Sequence, residues 1–110
     1  MIDELFGVCP ITTAQKILSG KWALLIIYHL KDGALRFSQL QRLFDGITHT
    51  TLAKQLKTLE SYDIVERKVY SQIPPKVEYS LSELGEKLLS SIDSLHKWGE
   101  IYIEHLELEK

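Results

Sequence analysis

The segment THTTLAKQLKTLESY, residues 48–62, combines short hydroxyl side chains at its start with lysines further along. At helical spacing, three leucines share one face: Leu52, Leu56 and Leu59. The polar residues Thr50, Lys54 and Lys57 lie on the opposite face. Such a face can hydrogen-bond base edges and neutralise phosphates, as a helix in the major groove of DNA does. An ordinary amphipathic helix with a solvated polar face shows the same pattern, so both interpretations stay open.

A second candidate for chemistry is the stretch VYSQIPPKVEYSL, residues 69–81, which alternates like a β-strand around two prolines. Pro74 and Pro75 lack N–H groups and have a fixed φ, so they would make a stiff hairpin tip. Lys76 follows them, and Arg67 and Lys68 lie on the preceding strand. A stiff basic projection can lie on the DNA backbone or enter the minor groove. The prolines also protect an exposed sheet edge from pairing, and the two roles are compatible.

The single cysteine, Cys9, precedes a predicted helix. The positive end of a helix dipole lowers a thiol pKa and makes the thiol more reactive, so Cys9 is a candidate sensor. The alternative is a small hydrophobic residue that packs the N-terminal arm. The sequence has no nucleophile elbow, P-loop or dinucleotide fingerprint, and its four histidines never occur at the i, i+4 spacing of a helical metal pair. We therefore expect no enzyme activity and no metal site.

Eight elements position these residues. We predict a helix that starts at Thr12 or Thr13, with a capping box to Gln15, and ends at Gly20. A buried helix, apolar on almost every face, follows over 21–30, and then a very short strand over 35–37. A helix with a second capping box, Ser38 to Gln41, leads through the turn 45–47 to a helix capped by Thr48. Strands over 65–70 and 77–81, the second with Val77, Tyr79 and Leu81 on one face, precede a helical segment that begins after Ser82 and can bend near Gly99.

This order is that of a winged helix-turn-helix. The predicted fold class is α+β, mainly α, with a two- to three-stranded antiparallel wing and a C-terminal dimerisation helix. We divide the single domain, 1–110, into four parts: 1–20, an N-terminal arm and dimer helix; 38–62, the helix-turn-helix; 65–81, the wing; and 82–110, the dimerisation helix.

The C-terminal segment carries two apolar stripes. One is formed by Leu88, Ile92, Leu95, Tyr102 and Leu106, and the other by Trp98, Ile101 and Leu108. One stripe can pack on the domain's own core, and a second indicates a partner, for which a homodimer is the commonest solution. The alternative is that both stripes wrap the same core.

Composition and charge limit the class of protein and the kind of partner that we expect. A chain of 110 residues, 45% apolar and 25% charged, is typical of one globular domain. Residues 36–76 hold seven basic and four acidic side chains, whereas 81–110 hold three basic and seven acidic ones, so a polyanion should meet the middle of the chain. No apolar run is long enough to span a membrane and the N-terminus does not resemble a signal peptide, so we expect a cytoplasmic protein with no membrane partner.

The chain resembles the HxlR-type (DUF24) winged helix-turn-helix transcriptional regulators from Cys9 to Trp98. The matching stretches are CPI, GKWALLII, LRFSQLQRLFDGIT, LAKQLKTLE, VERKVYSQIPPKVEYSL and LSELGEKL. The resemblance implies a small homodimeric DNA-binding regulator of bacterial type without a cofactor, with dimer contacts from the first and last helices. Some relatives use the cysteine of the CP motif to sense electrophiles, quinones or oxidants, and Cys9 occupies that position. With one cysteine, a disulfide between two different positions cannot form, but alkylation, a mixed disulfide or a Cys9 to Cys9 bridge can.

We therefore predict a homodimer that binds a pseudo-palindromic operator in double-stranded DNA. The predicted base or groove contacts are His49, Thr50, Thr51 and Lys54, and the predicted phosphate contacts are Arg36, Ser38, Lys57, Lys68 and Lys76. The predicted dimer interface contains Ile11, Ile92, Leu95, Trp98, Ile101 and Tyr102. Two alternatives remain: a regulator of the same fold that responds to a small-molecule inducer, and a winged-helix protein-interaction module that binds no DNA.

Overall fold

The computed structural model has the element order of a winged helix-turn-helix and describes residues 2–109. The helices are α1 (Ile2–Leu5), α2 (Pro10–Ile17), α3 (Ala23–His29), α4 (Phe37–Leu43), α5 (His49–Ser61), α6 (Glu83–Glu86) and α7 (Leu89–Leu108). The strands are β1 (Leu35–Arg36), β2 (Val65–Tyr70) and β3 (Lys76–Leu81). The predicted parts 1–20 and 82–110 include one residue each, Met1 and Lys110, that lies outside the described residues. No helix within 2–109 combines the length and apolar character that a membrane span requires.

Helix α2 begins at Pro10, so the predicted start at Thr12 or Thr13 is wrong. Cys9 is the N-cap residue with an extended backbone, and proline suits the first helical position because its missing N–H has no partner there anyway. The predicted capping box with Gln15 does not cap this helix either. The Thr13 hydroxyl instead donates to the Cys9 carbonyl oxygen at 2.8 Å. The helix ends at Ile17, one turn before Gly20.

Helix α3 supplies the centre of the core. Ala23, Ile26 and Ile27 are buried, but Leu25 stays 42% exposed, so the predicted burial of this apolar helix is wrong on that side. The core residues from the other elements include Leu40, Phe44, Leu52, Leu56, Leu59, Val65, Leu81 and Ile92. The predicted apolar face of residues 48–62 is thereby confirmed, and its burial turns the opposite face of α5 toward solvent.

The two helices of the helix-turn-helix start at different kinds of cap. For α5 the predicted cap is confirmed, because the Thr48 hydroxyl oxygen accepts from the Thr51 N–H at 3.1 Å. For α4 the predicted box at Ser38 is wrong. The N-cap is Arg36, whose own N–H donates to Gln39 Oε1 at 2.8 Å. Arg36 is extended because it also belongs to β1, so the sheet decides where α4 begins.

The three strands form an antiparallel sheet in the order β1-β3-β2. Arg36 and Lys68 are both paired with Glu78, from the two sides of the central strand. Directly opposed residues of an antiparallel sheet point to the same face. The face that carries Leu35, Tyr79 and Leu81 therefore packs toward the core, and the other face carries the charged side chains except that of Arg67, which is opposed to Tyr79. Strand β3 begins one residue earlier than predicted, and the tip over 71–75 is exposed.

The C-terminal segment starts as predicted at Ser82, whose hydroxyl oxygen accepts from the Gly85 N–H at 2.9 Å. It breaks after the single turn of α6, at Lys87 and Leu88. Helix α7 then runs through Gly99 without interruption, so the segment does not break at that glycine. Within α7 only Ile92 is buried, while Leu89 packs against the core half-buried and the residues from Asp93 onward are exposed except for half-buried Gly99.

Candidate nucleic-acid interface

The polar face of α5 is accessible along its length. His49, Thr50, Lys54 and Lys57 are all exposed. Thr51 is half-buried, and its N–H and its hydroxyl oxygen both bond to the Thr48 hydroxyl group, at 3.1 Å and 2.9 Å. The structure therefore brings three of the four predicted base-contacting residues onto one open surface. The fourth, Thr51, belongs partly to the cap that holds this surface in place.

His49 is fixed by an aromatic contact that the sequence did not indicate. Its ring lies 4.5 Å from the ring of Phe37, centroid to centroid, at an interplanar angle of 43°. Phe37 is the first residue of α4 and packs against the core. The N-termini of the two helices are thus joined through one pair of side chains, which restricts the directions in which the imidazole can point.

Two predicted phosphate contacts lie where β1 meets α4. Arg36 and Ser38 are both exposed there. The Ser38 carbonyl oxygen accepts from Arg42 Nε at 3.3 Å, so a further guanidinium group lies one turn along α4. Arg36 and Arg42 at this junction add positive charge to the surface formed by the polar face of α5.

The charged face of the sheet is organised around Glu78. Tyr70 Oη donates to Glu78 Oε1 at 2.7 Å, and Lys76 Nζ lies 3.4 Å from Glu78 Oε2. The ammonium groups of Lys68 and Lys76 each lie 4.8 Å from the centroid of the Tyr70 ring. The hydrogen bond from Tyr70, followed by the charges of Lys76 and Arg36, lowers the pKa of the Glu78 carboxyl group. Of the predicted wing cations, Lys68 and Lys76 are therefore held in place beside Tyr70 and Glu78.

Besides Arg42, a second cation, Arg67, was missing from the predicted phosphate contacts. Arg67 and Lys57 line a cleft of about 310 Å³ between α5 and the inner face of the sheet, together with Ala53, Glu60 and Tyr79. The alternation of side chains along a strand could have indicated this position, because Arg67 must point to the opposite face of the sheet from Lys68. The cleft continues the positive surface from the polar face of α5 to the wing.

The predicted dimer residues divide into two groups. Ile92 is 6% exposed and packs in the core, so it offers almost no surface to a partner. Trp98 and Ile101 are 60% and 62% exposed, and Ile11, Leu95 and Tyr102 are also exposed. Exposed Ile103 was in neither predicted stripe. Apart from Ile92, the predicted residues leave apolar surface open on α2 and α7.

Cys9 lies at the N-terminus of α2, half-buried. The Thr12 hydroxyl donates to Cys9 Sγ at 3.1 Å, and this hydrogen bond is the main cause of a lowered pKa of the thiol. Backbone N–H groups of the first helical turn lower the pKa further. The geometry favours the thiolate, the form that reacts.

An apolar groove of about 400 Å³ runs beside Cys9, between α2 and the junction of α6 with α7. Its walls include Val8, Pro10, Ile17, Leu84 and Leu88. Val8 and Pro10, the neighbours of Cys9 in the chain, line this groove, whereas Cys9 itself does not.

Metal-ligating side chains are scattered in the part of the chain that the structure describes, with no group of three that could hold an ion. His96 lies 3.5 Å (N···O) from Glu100, one turn further along α7, and His105 lies 3.6 Å from Glu109, the C-cap residue of that helix.

Comparison with known proteins gives a helix-turn-helix family and several similar regulators. The family described as HxlR-like helix-turn-helix matches residues 17–107. The HTH-type transcriptional regulator YdeP of Bacillus subtilis is 42% identical over 105 residues, which cover 96% of this chain and 81% of that protein. The redox regulator HypR in its reduced form has a TM-score of 0.84 and 41% identity, covering 89% of this chain and 97% of that one. The reduced transcriptional regulator YodB of B. subtilis has a TM-score of 0.75 and 36% identity, with coverages of 84% and 92%.

Proposed function

Because the chain belongs to the HxlR-like helix-turn-helix family of transcriptional regulators, we propose that it binds a pseudo-palindromic DNA operator as a homodimer, without catalysis. Helix α5 of each subunit would enter successive major grooves about one helical turn apart, with the wings beside them. The observation that carries this proposal is the exposed polar face of α5, which continues through a basic cleft to the wing. The protein would meet this operator in the cytoplasm.

The proposed contacts follow the exposed side chains. His49, Thr50 and Lys54 contact base edges or the groove floor, and Thr51 contributes from the edge of the cap. Arg36, Ser38, Lys57, Lys68 and Lys76 contact phosphates, and Arg67 joins them from the cleft. Short hydroxyls near the helix start and longer cations around it match the division between base reading and backbone positioning.

A salt series tests the DNA assignment. The probe is a duplex selected from a random pool, and the variants are Lys54→Ala and, as a matched control, Lys97→Ala on α7. Lys54→Ala should weaken binding to the selected duplex. A third variant, Lys76→Ala at a phosphate contact, should weaken binding across sequences and reduce the slope of log K against log salt by about one. Lys97→Ala should change neither quantity. If Lys54→Ala behaves like the control, this face of α5 does not bind DNA, and absence of salt-dependent retention on any duplex would favour a protein-interaction module.

The proposed dimer is supported by the exposed apolar side chains of α7. Trp98 and Tyr102 stack on each other with centroids 5.5 Å apart, and a second copy of the helix would cover them. Trp98→Glu should shift the protein toward monomer in sedimentation velocity, because an unpaired charge would be buried at the interface. Lys97→Gln changes the net charge by the same single unit beside this stripe and should leave the dimer intact. A Trp98→Glu protein that stays dimeric would place the interface elsewhere.

We further propose that Cys9 makes the regulator responsive to electrophiles or oxidants. The hydrogen bond from Thr12 and the lowered pKa of the thiol support this, and the relative HypR is described as a redox regulator. With one cysteine per chain, the available products are an alkylated thiol, a mixed disulfide with a small thiol, or a Cys9 to Cys9 bridge. A quinone should change the operator affinity of the native protein and leave that of Cys9→Ser unchanged. An unchanged affinity of the native protein would exclude the sensor.

The apolar groove beside α2 favours a second candidate, a regulator that responds to a small apolar ligand. A small aromatic compound without an electrophilic centre should then raise the melting temperature and change operator affinity. The Cys9→Ser variant separates the two candidates, because it keeps the groove and loses the thiol. A response to this compound that persists in Cys9→Ser indicates a ligand site, whereas a response to a quinone that disappears in Cys9→Ser indicates thiol chemistry.

A further inference from the structure

The charged face of the sheet contains a carboxylate at its centre, where a surface that binds phosphate would be expected to exclude one. Glu78 lies on the middle strand, with Arg36 opposite it on β1 and Lys68 opposite it on β2. Lys76 precedes it by two residues, so its side chain points to the same face. Three cations therefore surround one carboxylate, and the cluster keeps a net positive charge.

The contacts of Glu78 show what it does to its neighbours. Its two carboxylate oxygens bind different partners, Tyr70 Oη at 2.7 Å and Lys76 Nζ at 3.4 Å. The Tyr70 ring that this hydrogen bond fixes is the ring over which Lys68 and Lys76 lie. Lysine side chains on a strand are normally free to rotate, and here a carboxylate and an aromatic ring restrict two of them.

We propose that Glu78, acting with Tyr70, is a positioning residue that holds Arg36, Lys68 and Lys76 as one site for a DNA backbone phosphate. The proposal deepens the proposed DNA-binding function and rests on it. A preorganised set of donors binds an anion more tightly than mobile donors of the same charge, because less freedom is lost on binding. Glu78 would then strengthen operator binding although it carries the same sign of charge as DNA.

The sign of the effect of Glu78→Gln tests this role. Simple removal of a negative charge would tighten binding to DNA and increase the salt slope. The positioning role predicts the opposite: an affinity about 3- to 10-fold weaker for a selected duplex, with no increase in slope. The matched control is Glu66→Gln, which removes a carboxylate from the same face of β2 without touching this cluster. Its affinity should be unchanged or slightly higher.

Tyr70→Phe provides a second variant with no change in charge. It keeps the ring beneath the two lysines and removes the hydroxyl donor to Glu78, so it should also weaken binding, by about 2- to 5-fold. Thermal melting by circular dichroism establishes whether Glu78→Gln folds. If it does not fold, Tyr70→Phe alone tests the positioning role. Equal or tighter binding by the folded variants overturns the positioning role alone. Absence of salt-dependent DNA binding by the native protein overturns the proposed function, and this inference with it.

Discussion

Phe37, the first residue of α4, packs its ring 4.5 Å from the imidazole ring of His49, the first residue of α5. We expect Phe37→Ala to lower the free energy of unfolding by about 2 kcal/mol, because Phe37 is half-buried against the core. His49→Ala should cost less than about 1 kcal/mol, since it removes the ring pair without opening a cavity. Both variants should bind a selected duplex more weakly. Urea unfolding and fluorescence anisotropy measure the two effects, and full DNA affinity in Phe37→Ala would show that the ring does not position His49.

Thr48 and Thr50 separate stability from recognition on the same helix. Thr48 caps α5 through the Thr51 N–H, so Thr48→Ala should lower the free energy of unfolding by about 1 kcal/mol. Thr50 is exposed on the outer face, and Thr50→Ala should change stability by less than about 0.5 kcal/mol while weakening operator binding. Urea titration and a binding isotherm on each variant check the split. Equal stability losses in the two variants would contradict the assigned roles.

Sequence patterns predicted helix faces and helix caps correctly where these depend only on residues close in the sequence. The leucine spacing of α5 and the caps at Thr48 and Ser82 are confirmed, because each depends on residues within one or two turns. The same capping-box pattern failed twice, at Thr12 and at Ser38. Proline at position 10 lets α2 begin earlier, and pairing of β1 with β3 keeps Arg36 extended and fixes the start of α4. Tertiary contacts decide such boundaries, and a single sequence does not contain them.

In the candidate site, too, the features that depend on local periodicity were predicted and those that depend on tertiary contacts were not. The exposed face of α5 follows from helical periodicity, and the structure has it as predicted. The cluster around Glu78 depends on strand register, which the sequence left open, so the partner of Lys76 was not predicted. The burial of Ile92 depends on which side of α7 meets the core. One of the six predicted dimer residues is internal for that reason.

The pH dependence of Cys9 alkylation should report its hydrogen bond from Thr12. Thr12→Val removes the hydroxyl donor that lowers the thiol pKa, so the midpoint of the rate profile with iodoacetamide should move to higher pH. Thr13→Val is the matched control, because the Thr13 hydroxyl donates to the Cys9 carbonyl oxygen and not to the sulfur. A midpoint that Thr12→Val leaves in place would show that another group sets the reactivity.

His29 should make the protein less stable in mild acid. Partial burial, with a contribution from the Lys31 charge, lowers the pKa of its imidazole below the ordinary 6.5. Below about pH 6.5 the unfolded chain then binds more protons than the folded one, so stability is lost as pH falls toward the folded pKa. His29→Gln should flatten this dependence in urea unfolding between pH 7.5 and 5.5. The lowered pKa of Glu78 acts only below about 4.5, outside this range. Parallel curves for native protein and variant would contradict the prediction.

Two glycines in the C-terminal helices should respond to alanine in opposite directions. Gly85 in α6 lies so close to the Ile64 carbonyl oxygen that an added Cβ would collide with the backbone. Gly85→Ala should therefore cost at least about 2 kcal/mol of unfolding free energy, because α6 must move away from the start of β2. Gly99 in α7 has no atom within 4 Å of an added Cβ, so Gly99→Ala should add about 0.5 to 1 kcal/mol through helix propensity. Urea unfolding at one fixed protein concentration compares the two. If Gly99→Ala also lowers stability at that concentration, the position faces a partner helix too closely to admit a methyl group, and sedimentation velocity would then show a weakened dimer.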